Sequence, residues 1–125
     1  MDELLQWLTR QIDEDAWLAM SASPGPWQTG PESDEVLAAG VVVANGLAFP
    51  RGQLRATVDH VARWDPTRVL QDARAKRAMV SYYRRYWPER EHAGEGPARE
   101  AMAQMIKELA VGYAERPGYR PQWRP

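Results

Sequence analysis

The stretch "HVARWDPTRVL" places His60, Arg63, Asp65 and Arg68 within nine positions of one another. A histidine and two arginines beside the start of a helix are the groups an anion pocket needs. Backbone N–H groups at a helix N-terminus already favour phosphate. Asp65, followed by Pro66, is read as the helix N-cap, which removes it as a free general base. His60, Arg63 and Arg68 are therefore the candidate anion-binding residues. The structural alternative has His60 bonded to a backbone carbonyl and the arginines paired with an acidic first helix.

Two further clusters compete for a role. The segment from 66 to 87 carries Arg74, Lys76, Arg77, Arg84 and Arg85, and "SYYRRYW" interleaves bases with aromatics as single-strand nucleic-acid surfaces do. Arg74, Arg77, Arg84 and Arg85 are the nucleic-acid-binding alternative. Against it, residues 1–20 hold five acids and only Arg10, so the first helix can neutralise the basic one. At the end, "PGYRPQWRP" sets Tyr119, Trp123 and Arg124 on a proline-stiffened tail. That tail docks either across its own domain or on another subunit or partner. No nucleophile motif, phosphate loop or pair of metal ligands occurs, and His60 and His92 are the only histidines. The reading is non-enzymatic, with no metal and no cofactor.

The elements that must position these residues follow from hydrophobic period and punctuation. Leu5, Leu8, Ile12, Ala16 and Ala19 recur at helical spacing and predict a helix over 3–20, ended by Pro24 and Pro26. Residues 27–56 read as short strands. Val41 to Val43 and Leu47 to Phe49 flank Asn45-Gly46, a type I′ hairpin signal, and "QLRA" is a candidate fourth strand. Thr57 is read as the cap of a short helix over 58–64, with Val58, Val61 and Ala62 inward. A long helix over 66–87 buries Val69, Leu70, Ala73, Val80, Tyr83 and Trp87. Gly96-Pro97 opens a helix over 97–114 with Met102, Met105, Ile106, Leu109 and Tyr113 as its buried face. An extended tail spans 115–125.

Composition sets the outer bounds. The 125 residues fit a single domain over 1–125. The chain is 44% hydrophobic and 26% charged, with net charge −1, which gives no global pull toward nucleic acid or anionic membrane. It has no cysteine, hence no disulfide and no thiolate metal site, and its acidic start is unlike a signal peptide. No apolar run approaches the roughly 18 residues of a membrane span. A cytoplasmic location is the expectation. Six tryptophans and ten prolines are many for this length.

"SPGPW", "HVARWDPTRVLQDARAKR" and "YAERPGYRPQWRP" together resemble a family of small actinobacterial and actinophage proteins, a domain of unknown function. Its members carry a TPGPW-like turn, a HIARHDPxRVLxxxxAKR-like helix pair and a YADHPGYxxxWRP-like end. The order of helix, PGPW turn, hairpin and "DP…VL" is more distantly similar to Ead-like phage early-region proteins. Many family members place a cysteine cluster, suggestive of a zinc knuckle, before the last helix. This chain has none there. Trp64 also stands where relatives often have a second histidine. Both departures argue against a metal.

The fold expected is α+β: a small antiparallel sheet of three or four short strands covered by an N-terminal, a long central and a C-terminal helix. The function expected is that of a small binding or accessory protein of phage or mobile-element type. Its ligand is a protein partner or a small anion such as a nucleotide, with nucleic-acid binding as the alternative, an enzyme as a third reading and a homodimer left open.

Overall fold

The computed structural model describes residues 1–46, 50–87 and 96–125. Among them are four α-helices and one three-stranded antiparallel sheet: α1 (Asp2–Ser21), β1 (Trp27–Thr29), β2 (Glu35–Ala38), β3 (Val41–Asn45), α2 (Leu54–Arg63), α3 (Pro66–Tyr86) and α4 (Pro97–Val111). The fold class is α+β. The chain forms two compact units, one of residues 15–72 and the other of residues 1–14 with 73–125.

In the unit of residues 15–72, the sheet has the order β1-β2-β3. Val36 on β2 and Val58 and Ala62 on α2 form its buried centre, with Trp27, Val43, Ala44, Leu54 and Val61 packed around them. Thr29 Oγ1 donates to Asp59 Oδ1 at 2.8 Å, a further tie from β1 to α2. Leu37 pairs with Val42 while Val36 pairs with Ala44, so β3 carries a bulge at Val43.

The hairpin turn is at Ala39-Gly40, not at Asn45-Gly46. Ala38 pairs with Val41, and the two residues between them have φ of 50° and 77°, the positive pair that a type I′ turn requires. Asn45 instead ends β3 opposite Glu35. Gly46 N–H donates to the Asp34 carbonyl at 2.6 Å, so the chain still runs beside β2 where the Asn-Gly signal asked it to reverse. The expected partner strand, Leu47 to Phe49, lies outside the described residues. "QLRA" is not a strand: Arg51–Gln53 is a 3-10 turn that leads directly into α2 at Leu54. Thr57 therefore lies inside α2 and caps nothing, although Val58 and Ala62 do face inward.

The "DP" reading holds in detail. Asp65 Oδ1 accepts the Arg68 N–H at 2.8 Å, which is N-cap geometry with Pro66 at the first helical position. Its other oxygen, Oδ2, accepts the Trp27 N–H at 2.8 Å. Asp65 is buried, and both carboxylate oxygens are thereby engaged. Gly25 is held beside this cap. A Cβ there would come within 2.2 Å of Thr67 Oγ1 and 3.0 Å of Asp65 Oδ2. "PGPW" and "DPT" are thus two halves of one joint.

In the other unit, Leu4, Leu5, Trp7, Leu8 and Ile12 of α1 are buried, as are Ala73, Val80 and Tyr83 of α3 and Ile106, Ala110 and Tyr113 near α4. Met105, expected inside, is half exposed. Gly96 and Pro97 do start α4, which ends at Val111 in tightened turns from Tyr113 N–H to the Ala110 carbonyl and Ala114 N–H to the Val111 carbonyl. The tail is not extended. Gly118 turns it with φ of 85°, and Pro121–Trp123 form a 3-10 turn. The tail packs on α1: the Trp7 ring lies 5.4 Å from that of Tyr119 and 5.5 Å from that of Trp123, and Trp7 Nε1 donates to the Pro117 carbonyl at 3.0 Å.

Candidate functional site

The corner between α2 and α3 organises the first cluster. Trp64 closes α2, its N–H donating to the His60 carbonyl at 3.1 Å. Its indole stays half exposed because the inward positions of the turn are already taken by Val58 and Ala62. The Arg68 guanidinium lies 4.0 Å above the Trp64 ring centroid, a cation–π contact. The His60 ring is 6.1 Å from the same indole. Arg63 is exposed at the last position of α2. Trp64, which the motif reading set aside, is therefore the residue that gathers His60 and Arg68. The N–H of Arg68 at the start of α3 is engaged by Asp65, so the cationic side chains, not that donor, are what this corner offers an anion.

Beside the corner runs a groove of about 340 Å³ lined by Asp15, Leu18, Ala19, Ala22, Trp27, Trp64, Pro66 and Val69. Trp27 gives one aromatic wall, with its Nε1 bound to the Ser23 carbonyl at 2.9 Å, and Trp64 gives another. Leu18 is 65% exposed, and its neighbours Trp17 and Met20 are equally open. Sequence reasoning passed over this groove because its walls come from three separate stretches, 15–22, Trp27 and 64–69. The signal present was that Trp17, Leu18 and Met20 lie off the buried stripe of α1.

The remaining candidates sit in the other unit. Arg74, Arg84 and Arg85 are exposed on α3, and the Arg85 guanidinium lies 5.7 Å from the Tyr86 ring. Arg77 binds Asp13 of α1, with Nε to Oδ1 at 2.8 Å, so one of the four bases is paired within the chain. Tyr119 and Trp123 turn their rings to Trp7, and the Arg124 carbonyl accepts from Lys107 Nζ at 3.5 Å. Arg120, between them, pairs with Glu3 and lies 5.3 Å over the Trp123 ring. These contacts commit the tail's aromatic side chains to its own unit. His92 falls outside the described residues.

Among the described residues, no three His, Cys, Asp or Glu side chains gather to hold a metal ion, and no helix is long and apolar enough to cross a membrane. No curated protein and no solved structure matches the chain. The model of one family matches residues 1–125, the whole length. The chain belongs to that family, the family of unknown function DUF6221.

Proposed function

We propose that this protein is a non-enzymatic binding protein whose ligand is a small planar anion, a nucleotide being the natural example. The observation that supports this is the pairing of an aromatic groove with a cation fixed at its edge. Small-ligand sites are mostly apolar clefts of about 300–1,000 Å³ with a few placed polar groups, and the groove's 340 Å³ falls within that range. Its tryptophans offer a ring surface for stacking. Arg68, held over Trp64, offers charge, with His60 and Arg63 on the adjoining helix. The resemblance of its motifs to those of actinobacterial and actinophage proteins supports an accessory role of phage or mobile-element type, and the cysteine-free sequence suits the cytoplasm.

A second reading has one specific observation behind it. Trp17, Leu18 and Met20 are all exposed on α1, and uncovered apolar patches mark protein interfaces. On that reading the groove anchors a protein partner instead.

Thermal denaturation with nucleosides, nucleoside 5′-phosphates and inorganic phosphate separates the two. A ligand that binds only the native state raises the melting temperature. The proposal expects a shift with nucleotide at millimolar concentration, less with nucleoside or phosphate alone, and its loss in Trp64→Ala and in Arg63→Gln/Arg68→Gln. No shift with any nucleotide overturns the small-ligand reading and leaves the protein-partner one.

A further inference from the structure

The long helix has a face that the groove at Trp64 does not use. In the unit built from residues 1–14 and 73–125, Met79, Tyr82 and Tyr86 follow one another at three- and four-residue steps along α3, and all are 42–58% exposed. Met102, Met105 and Leu109 repeat the same steps on α4. α4 runs back along α3: Lys76 Nζ reaches the Tyr113 hydroxyl at 3.0 Å, and Met79 shares a groove of about 310 Å³ with Met102, Met105 and Leu109. Two helices therefore present parallel apolar flanks to one side, with a methionine-lined furrow between them. Methionine adapts its shape to a facing surface better than branched residues do.

What borders the furrow tells which occupant fits. At about 100° per residue, the α3 flank passes next to exposed Ala78 and then to exposed Arg74 and Arg85. The α4 flank passes to exposed Ala101 and then to Glu108, which lines the furrow. One rim carries Arg74 and Arg85 and the other carries Glu108, each behind a small residue that lets another helix come close. We infer that the occupant is a second copy of this chain, related by a two-fold axis parallel to α3 and α4. That axis lays each α3 on the partner's α4, so the Arg74 rim meets the Glu108 rim twice and four helices close around one methionine and tyrosine seam. The other two-fold arrangement would set Arg74 and Arg85 against their own copies. A closed, isologous pair is the commonest assembly of identical chains. This inference does not depend on the ligand proposed above.

Sedimentation equilibrium of the full-length protein from micromolar to several hundred micromolar tests it. The wild type is expected to be dimeric. Arg74→Glu is expected to weaken the dimer on the order of tenfold or more, as like charges face each other across the seam. The exchange Arg74→Glu/Glu108→Arg is expected to restore it. Met79→Ser/Met105→Ser is expected to give monomers with an unchanged helical circular dichroism spectrum, because both side chains are exposed in the single chain. A wild type that stays monomeric throughout overturns the inference. So does a dimer indifferent to the methionine pair, or one not restored by the charge exchange.

Discussion

Replacing Asp65 with alanine removes two hydrogen-bond acceptors at once, and the cost can be worked out from their geometry. Losing the bond from Arg68 N–H to Oδ1 is loss of an N-cap, typically about 1 kcal/mol. Losing the bond from Trp27 N–H to Oδ2 leaves a partly buried backbone donor without its acceptor, which costs about 1–3 kcal/mol. Asp65→Ala is therefore expected to destabilise the protein by about 2–4 kcal/mol. Asp65→Asn keeps one carbonyl oxygen, enough for the cap, but its amide nitrogen cannot accept from Trp27. It is expected to cost about half as much. Gly25→Ala pushes a methyl into Thr67 Oγ1 and strains the same joint, so Gly25→Ala and Asp65→Ala should be clearly sub-additive. Urea denaturation followed by far-ultraviolet circular dichroism measures the three single variants, the Gly25→Ala/Asp65→Ala double variant and the wild type. If Asp65→Ala costs only about 1 kcal/mol and adds fully to Gly25→Ala, the carboxylate is an ordinary cap and the tie to "PGPW" is wrong.

Other substitutions probe separate statements. Ala39→Asn should stabilise the protein by about 1 kcal/mol, since Asn tolerates the positive φ that Ala39 adopts at 50°; a loss of stability in urea would remove the type I′ assignment. Gly118→Ala should cost more than about 1 kcal/mol, because φ is 85° and the new Cβ would sit 3.0 Å from Trp7 Nε1. The same variant should change Trp7 emission, and an unaltered spectrum with wild-type stability would contradict the docked tail. Tyr119→Phe should be neutral or slightly stabilising, because the Tyr119 hydroxyl is buried without a partner. A drop of more than about 1 kcal/mol in that variant would show that the hydroxyl does have an acceptor.

Much of the helical frame was legible in the sequence because its signals are local. Leu5, Leu8, Ile12, Ala16 and Ala19 are all buried, and Asp65-Pro66 and Gly96-Pro97 start helices where caps and proline say they should. The β region was less legible. Asn45-Gly46 is the stronger turn dipeptide, yet register decided the matter: with Ala38 opposite Val41, the reversal must fall on Ala39-Gly40 despite the strain at Ala39. Pro50-Arg51-Gly52 looked like the approach to a strand, whereas the 3-10 turn at Arg51–Gln53 begins α2 four residues before the expected start. Met105 was placed inside because helical period identifies an apolar face but not how much of it a neighbour covers. The groove by Trp64 was out of reach for a related reason. Leu18, Trp27, Trp64 and Val69 come together only through tertiary packing.

The proposed ligand site is tested most directly by the indole N–H resonances of the six tryptophans during titration with a nucleoside 5′-phosphate. Trp27 and Trp64 line the groove, whereas Trp7 of α1 and Trp123 of the tail pack on each other in the other unit. The account predicts saturable shifts of the Trp27 and Trp64 signals, with Trp7 and Trp123 unmoved, and their loss in Arg68→Gln. Signals that stay fixed at millimolar nucleotide, or shifts confined to Trp7 and Trp123, would contradict it.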